Sequence, residues 1–202
     1  MQSDLLIDQI IHETRSHGWS FQSQVISMTE LQAINHFFDE HRGSFTAAKV
    51  GKGLNKIRKE EIRGDFTLWI DPLDPPKVFE PIVKFLEELK QRLNRELLLG
   101  VKEFECHLAF YPPGSLYKTH IDKFAQDSTR LYSFVLYLHQ AWDQAAGGEL
   151  VLYDRQGTEL TKILPLPGSM VGFISDDFPH EVKPAALERR SFTGWMHSKI
   201  IN

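Results

Sequence analysis

The sequence predicts an α+β fold of one domain, in which N-terminal helices pack on one face of a β-sandwich or jelly roll. Apolar residues at helical spacing are concentrated in residues 1–100. From residue 102 onward, short segments of strand character follow one another, separated by turns rich in glycine and proline. No shift in composition along the 202 residues marks a second domain. We therefore expect a single domain over 1–202, with a helix-rich support in 1–100 and a β-rich core in 101–199.

Three helices are predicted in the N-terminal half. The first precedes Gly18, and its apolar residues repeat at helical spacing: Leu5, Ile7, Ile10 and Ile11. Ser27 and Glu30 have the spacing of a capping box at the start of the second helix, whose apolar stripe comprises Leu31, Ile34, Phe37 and Phe38. The third and longest helix is predicted over residues 78–98, with Gly100 beyond its end.

Strands are predicted on both sides of the longest helix. Before it, residues 19–26 and 66–70 have strand character, and Pro72 stops the second of these. After it, period-two alternation typical of a strand with one packed face appears in Phe104, Cys106, Leu108 and Phe110. Further strands are predicted over residues 131–138, 149–153, 160–164, 170–175 and 191–197. Short strands at this spacing favour the sandwich or jelly roll.

The composition narrows the class of partner. Hydrophobic residues make up 42% and charged residues 25% of the chain, which is ordinary for a soluble globular domain. The formal net charge of −4 predicts no general attraction to nucleic acid or to an anionic membrane. Cys106 is the single cysteine, so no intrachain disulfide can form. With no signal-peptide pattern and no apolar run of membrane length, we expect a cytoplasmic monomer that binds neither nucleic acid nor membrane.

Four residues of the C-terminal half carry the predicted chemistry. His120 and Asp122 are two positions apart, so their side chains lie on the same side of an extended segment. His180 follows a predicted strand, and Arg189 comes just ahead of the last one. Two histidines and one carboxylate are the ligand set of a mononuclear non-haem iron(II) site, which leaves three coordination positions free. An arginine downstream is suited to an acidic co-substrate such as 2-oxoglutarate, so an oxygenase is predicted.

Zinc is the competing metal, because two histidines and a carboxylate also form catalytic zinc sites. The sequence contains no His-Glu-x-x-His pattern of zinc hydrolases, and no nucleophile elbow, phosphate loop or dinucleotide fingerprint. Any one histidine alone is more often a surface or core residue than a ligand. The prediction therefore depends on the ordered set of four residues.

With its flanking motifs, this set resembles the iron(II)- and 2-oxoglutarate-dependent prolyl 4-hydroxylases, and more narrowly the animal hypoxia-sensing prolyl hydroxylases and their bacterial homologues. The strongest stretches are residues 62–70, 111–122, 137–143, 147–150 and 179–195. The stretch with Arg63, Gly64, Asp65 and Trp69 separates this group from oxygenases that share only the metal ligands. The resemblance implies a double-stranded β-helix, the cupin-like form of the jelly roll.

The resemblance also implies roles for individual residues. His120, Asp122 and His180 would bind Fe(II), while Arg189 and Tyr137 would bind the distal carboxylate of 2-oxoglutarate. The co-substrate pocket would be completed by Tyr111, Thr193 and Trp195. The substrate mouth would be formed by Arg63, Asp65 and Arg130, with the charged loop of residues 52–61 folding over the bound peptide. Tyr111 and Tyr137 also fit as packed core aromatics, Arg130 as a surface ion pair, and residues 52–61 as a solvated loop.

The implied reaction is hydroxylation of a prolyl residue at C4 in an exposed loop of a protein. Its cofactors would be Fe(II), 2-oxoglutarate and O2, with ascorbate as reductant, and its by-products succinate and CO2. Bacterial members of the family suggest elongation factor Tu as the partner. Three alternatives stay open: an oxygenase acting on a small molecule or another side chain, a nucleic-acid demethylase, and a non-catalytic cupin-like binding module. The demethylases typically carry a second arginine where this chain has Trp195, which disfavours that alternative.

Overall fold

A computed structural model of the chain describes residues 2–48, 61–122 and 129–200. The helices in these ranges are α1 (Gln2–His17), α2 (Met28–Glu40) and α3 (Glu80–Leu97). The strands are β1 (Trp19–Gln22), β2 (Thr46–Ala47), β3 (Phe66–Ile70), β4 (Glu103–Tyr111), β5 (Tyr117–His120), β6 (Arg130–Tyr137), β7 (Leu150–Tyr153), β8 (Glu159–Ile163), β9 (Met170–Ile174), β10 (His180–Val182) and β11 (Arg189–His197).

Local sequence signals set the ends of the helices. The predicted capping box starts α2, since the Ser27 hydroxyl accepts a hydrogen bond from the Glu30 backbone N–H and the Glu30 carboxylate accepts one from the Ser27 N–H. Leu98 ends α3 in the left-handed conformation, with a φ of 56°. The Asn94 side chain then donates to the Val101 carbonyl and accepts from the Val101 N–H, which ties the end of α3 to the chain entering β4.

The larger sheet has seven strands in the order β1-β9-β6-β11-β4-β3-β2, with every neighbouring pair antiparallel. Period-two alternation along β4, β6 and β11 divides it into two faces. One face packs against the three helices in an apolar core that includes Phe104, Leu108, Phe134, Phe192 and Met196. This burial explains why the helices cover one side of the sheet.

The smaller sheet has four strands in the order β5-β10-β7-β8. A second apolar cluster joins the opposite face of the larger sheet to this one, through Tyr137, Val171 and Phe173 on one side and Leu152, Ile163 and Val182 on the other. The two sheets therefore face each other as in a jelly roll, and the alternate residues of β4, β6 and β11 that point away from the helices line the space between them.

Several predicted boundaries differ from the structure. Strand β1 ends at Gln22 rather than at residue 26, because Gln24 turns the backbone with a φ of 58° and Val25 donates to the carbonyl of Gly168. Strands β2, β5 and β10 have two to four residues each, too few for periodicity to reveal them. Arg189 begins β11 rather than preceding it.

Two further predictions concern the charged loop and membrane-spanning helices. The charged loop predicted over residues 52–61 lies, up to residue 60, outside the described residues. None of the helices described is both long enough and apolar enough to cross a membrane.

Candidate metal and co-substrate site

Pairing of two short strands brings the predicted histidine ligands together. His120 ends β5, His180 begins β10, and the two residues are direct partners in the antiparallel register. Each Nδ1 lies at hydrogen-bond distance from a backbone carbonyl, 2.8 Å from that of Lys118 and 3.0 Å from that of Phe178. Because a carbonyl only accepts, each Nδ1 carries the proton and each Nε2 presents a lone pair. Both imidazoles are thus prepared to coordinate through Nε2.

Asp122 completes the group two residues beyond His120. Its carboxylate oxygens lie 3.6 Å from the Nε2 of His120 and 3.5 Å from the Nε2 of His180. One donor atom from each of the three residues lies within 4.8 Å of the other two. The Ser133 hydroxyl donates at 2.7 Å to the Asp122 oxygen that lies 3.5 Å from His180 Nε2, and it also lies 2.9 Å from the Ser175 hydroxyl. The carboxylate is therefore fixed in orientation from β6.

Electrostatics keep Asp122 and His180 in the protonation states that a metal requires. Burial by itself would raise the pKa of Asp122, but His180, His120 and Arg130 outweigh it and hold the pKa below its ordinary value. Burial, helped by the charge of His120, lowers the pKa of His180 to about 4. An ionised carboxylate and a neutral imidazole are the forms that bind metal ions at neutral pH.

Arg189 lies at the other end of the same space, at the start of β11 and opposite Tyr111 of β4. Its side chain is 2% exposed, and its Nε donates to the Gly148 carbonyl at 3.0 Å. One terminal nitrogen of Arg189 and the hydroxyl of Tyr137 are buried without a hydrogen-bond partner. The guanidinium carbon lies 4.9 Å from the centre of the Tyr137 ring. Two adjacent unsatisfied donors of this kind fit a carboxylate of a bound ligand.

The contact between Gly148 and the Arg189 side chain could not be predicted from the sequence. Gly148 has a φ of +79°, and a Cβ there would lie 2.9 Å from Ala185 and 3.1 Å from the Trp142 ring. Trp142 in turn packs on His139, with ring centres 4.1 Å apart. The pair of glycines before β7 was visible in the sequence, but its distance of about forty residues from Arg189 hid the contact.

Two of the predicted mouth residues are bound to each other. Arg63 donates from Nε and from a terminal nitrogen to the two oxygens of Asp65, at 2.6 and 2.9 Å. The Arg63 guanidinium lies 4.7 Å from the centre of the Tyr117 ring, and Tyr117 stacks on His120 with ring centres 3.6 Å apart. Burial would lower the pKa of Arg63, but the pairing with Asp65 outweighs this and raises it. Tyr117, which the sequence did not single out, thus links the mouth to the metal ligands.

The third mouth residue, Arg130, also has partners of its own. It donates to Glu105 at 3.0 Å, and its guanidinium lies 3.6 Å from the centre of the Trp195 ring. The ion pair that the sequence left open for Arg130 is thus present, partly buried rather than on the surface. The Thr193 hydroxyl donates to the Phe134 carbonyl at 2.8 Å.

One cavity between the sheets joins most of the predicted residues. Its lining includes His120, Asp122, His180, Arg189, Tyr111, Thr193, Trp195, Arg63 and Asp65. Tyr137 and Arg130 are outside this lining and reach it through Arg189 and Trp195. The donor set fits a divalent metal with nitrogen and oxygen ligands, and the unsatisfied donors of Arg189 and Tyr137 fit an acidic co-substrate beside it.

Known proteins resemble this chain in sequence and in fold. The sequence profile of the 2OG-Fe(II) oxygenase superfamily matches residues 106–197. A prolyl-4-hydroxylase of Pseudomonas putida is 33% identical, over 96% of this chain and 100% of that chain, with a TM-score of 0.84. A prolyl hydroxylase of Trichoplax adhaerens, solved with a peptide of hypoxia inducible factor, is 26% identical over 98% of this chain and 91% of that chain, with a TM-score of 0.84.

More distant structures share the fold. The collagen prolyl hydroxylase of Paramecium Bursaria Chlorella virus-1 is 20% identical, over 92% of this chain and 98% of that chain, with a TM-score of 0.63. The facing antiparallel sheets and these likenesses confirm the predicted α+β fold of double-stranded β-helix type, with helices on one face of the larger sheet.

Proposed function

Because this chain belongs to the 2OG-Fe(II) oxygenase superfamily, and within it to the prolyl 4-hydroxylases, we propose that it hydroxylates C4 of a prolyl residue in a protein substrate. One oxygen atom of O2 enters the C4–H bond as hydroxyl. The other enters succinate as 2-oxoglutarate loses CO2. Elongation factor Tu is the first candidate partner, and we place the reaction in the cytoplasm, carried out by a monomer with ascorbate maintaining the iron as Fe(II).

The observation that carries the proposal is that the ligand triad and Arg189 line one cavity, and that one Arg189 nitrogen and the hydroxyl of neighbouring Tyr137 are buried there without a hydrogen-bond partner. His120, Asp122 and His180 would hold Fe(II). Bound there, the metal supplies the oxygen-activating redox chemistry. If the protein bound only a metal and no co-substrate, one Arg189 nitrogen and the Tyr137 hydroxyl would stay buried without a hydrogen-bond partner. Buried polar groups are rarely left unpaired in this way, because an unpaired group costs free energy of folding.

The chain's own residues provide binding, orientation and exclusion of water. Arg189 presents a planar fork to the distal carboxylate of 2-oxoglutarate, and the Tyr137 hydroxyl donates to the same group. Burial raises the pKa of both Tyr137 and Tyr111, so both hydroxyls stay protonated and available as donors. Tyr111, Thr193 and Trp195 would form the walls that position the co-substrate.

The substrate would enter over Arg63, Asp65 and Arg130. The Arg63–Asp65 pair is held in place by Tyr117. Arg130 and Trp195 would form the opposite rim. A macromolecular substrate fits this arrangement better than free proline, because charged side chains on both rims can contact residues that flank the target.

The test is succinate production from 2-oxoglutarate with Fe(II) and ascorbate, with and without proline-containing peptides that include loops of elongation factor Tu. We expect peptide-stimulated turnover and a prolyl mass gain of one oxygen. Both should fall at least about 100-fold in His180→Ala and Arg189→Ala, since each loses a buried charged or metal contact. Arg155→Ala, which changes an exposed arginine, is the matched control. Succinate formation without hydroxylation of any peptide would contradict the proposal of a prolyl substrate. Absence of succinate formation by the iron-loaded protein would contradict the proposal of an oxygenase.

A further inference from the structure

A second concave surface lies beside the metal cavity, between α3 and the chain from Trp69 to Pro75. This groove has a volume of about 1030 Å³. Trp69 is 53% exposed and Leu73 is 90% exposed on its wall. Large apolar side chains exposed together in a concave surface are typical of a site that binds another polypeptide.

The groove is acidic. Within the described residues its lining contains only two lysines, Lys84 and Lys90, against six carboxylates: Asp71, Glu80, Glu87, Glu88, Glu103 and Glu105. Lys90 is engaged by Glu87 at 2.6 Å. The Glu105 carboxylate is paired with Arg130 at 3.0 Å and with His197 at 3.1 Å. The surplus of negative charge favours a ligand segment that carries lysine or arginine.

An aromatic row connects the groove to the metal site. Trp69 of β3 is the register partner of His107 of β4, and their rings are 4.7 Å apart. His107 in turn lies 5.4 Å from the ring of Trp195 on β11. Trp195 is the register partner of Ser133, which donates to the Asp122 carboxylate. The three side chains therefore form a row of contacts from the exposed Trp69 to the strand position beside a candidate metal ligand.

His107 adds an unused polar group on this path. It is 1% exposed and lines the metal cavity, and its Nδ1 is buried without a hydrogen-bond partner. A peptide backbone crossing between Trp69 and Trp195 offers the N–H and carbonyl groups that would satisfy this imidazole.

We propose that the acidic groove binds the part of the substrate polypeptide that flanks the target prolyl residue, and that it selects a flank carrying lysine or arginine beside an apolar side chain. This inference rests on the proposed hydroxylation of a protein. The apolar side chain packs on Trp69 and Leu73, the basic residues face the carboxylates, and the chain passes His107 to reach the metal.

The test compares short labelled peptides with a central prolyl residue and either a lysine–leucine or a glutamate–leucine flank, placed on each side in turn. Binding is measured without oxygen by fluorescence anisotropy, in the presence of 2-oxoglutarate and Mn(II). When the flank is on one particular side of the prolyl residue, we expect the lysine–leucine peptide to bind more tightly than the glutamate–leucine peptide. Glu87→Lys should reduce that preference about threefold, as expected for one partly exposed charge pair. Leu73→Ser should weaken binding of both peptides.

The chain offers matched controls for both variants. Glu159 makes the same i,i+3 ion pair with a lysine, and Leu160 is an exposed leucine, but both lie on β8 of the other sheet. Glu159→Lys and Leu160→Ser should leave both affinities unchanged. Equal affinity for the two flanks, or an equal effect of Glu87→Lys and Glu159→Lys, would overturn the groove as a docking site.

Hydroxylation of the same peptides separates this inference from the function it rests on. A lysine preference that depends on Glu87, in peptides that are never hydroxylated, supports the groove and overturns the prolyl hydroxylase. Hydroxylation with the same KM for both flanks supports the prolyl hydroxylase and overturns the groove. Succinate formed without any peptide should not change in Glu87→Lys or Leu73→Ser, since neither residue lines the metal cavity.

Discussion

The three ligand candidates differ in how the surrounding protein orients them. His120 and His180 are each held by a backbone carbonyl two residues earlier in the chain. The carboxylate of Asp122 depends instead on a side chain, the hydroxyl of Ser133. Groups that hydrogen-bond to a ligand fix its direction and basicity, and their loss typically lowers metal affinity without removing a ligand.

We expect Ser133→Ala to weaken Fe(II) binding by about tenfold to 100-fold, the usual effect of removing such a supporting group. The change leaves one Asp122 oxygen without the Ser133 hydroxyl as its donor, while all three candidate ligands remain. Affinity is measured anaerobically by competition with a chelator. Ser169→Ala is the control, because Ser169 is equally buried but donates only to the Leu166 carbonyl. Equal affinities in the two variants would show that Ser133 does not orient Asp122.

Among the secondary-structure elements, the turn before β7 determines whether Arg189 can serve the co-substrate. Gly148 approaches Trp142 and Ala185 so closely that only a residue without a Cβ fits, and its carbonyl then meets the Arg189 Nε. Strand β11 sets the position of the arginine backbone, since its first residue is Arg189 itself. The arginine's direction thus depends on a tight turn as well as on its own strand.

We expect Gly148→Ala to raise the KM for 2-oxoglutarate about tenfold or more and to leave Fe(II) affinity unchanged. A new Cβ displaces the carbonyl, so the guanidinium loses the alignment that makes its charge-assisted bonds strong. Gly157→Ala controls for backbone strain, because Gly157 also has a positive φ but no atom lies near its missing Cβ. Steady-state kinetics with 2-oxoglutarate varied would decide. An unchanged KM in Gly148→Ala would contradict the role of this turn.

The molecule as a whole assigns its two cores different tasks. The core between the helices and the larger sheet is almost entirely apolar and provides stability. The space between the sheets contains buried polar groups, among them Asp122, His107, His180 and Arg189. Burying such groups costs free energy unless they are paired, so the apolar core must offset the site. Neutral buried histidines make this cost depend on pH.

His139 shows the dependence most directly. Burial, followed by the charges of Arg189 and Arg190, lowers its pKa from 6.5 to about 3, and its Nε2 accepts the Arg190 backbone N–H. A histidine whose pKa is depressed on folding contributes stability that is complete above pH 6.5 and is lost as the pH falls toward 3. Each such group adds up to about 1.4 kcal/mol of lost stability per pH unit in that window.

We therefore expect His139→Gln to reduce, by about 2 kcal/mol, the stability that the protein loses between pH 7 and pH 5. The glutamine amide cannot titrate, and its oxygen can accept the same N–H. The measurement is the free energy of unfolding in urea at both pH values. His12→Gln, at an exposed position of α1, should leave the loss as it is in the wild type. The same loss in His139→Gln would show that protonation of His139 does not destabilise the fold.

The sequence by itself determined the elements that carry a periodic signal. The stripe in α3, the capping box of α2 and the alternation in β4 each arise from side chains a few residues apart, so the chain contains the whole signal locally. It also determined the class of site, because the residue types His120, Asp122, His180 and Arg189 limit the chemistry that can occur. Their roles as ligands and co-substrate contacts remain predictions.

Only the tertiary structure decided how distant residues meet. Strands β5 and β10 have too few residues for a pattern, and they exist because they pair; that pairing sets His120 opposite His180. Ser133 beside Asp122, Gly148 beside Arg189, and the row from Trp69 through His107 to Trp195 likewise depend on strand register and on the packing of two sheets. Register is set by burial across the whole sheet rather than by neighbours in sequence.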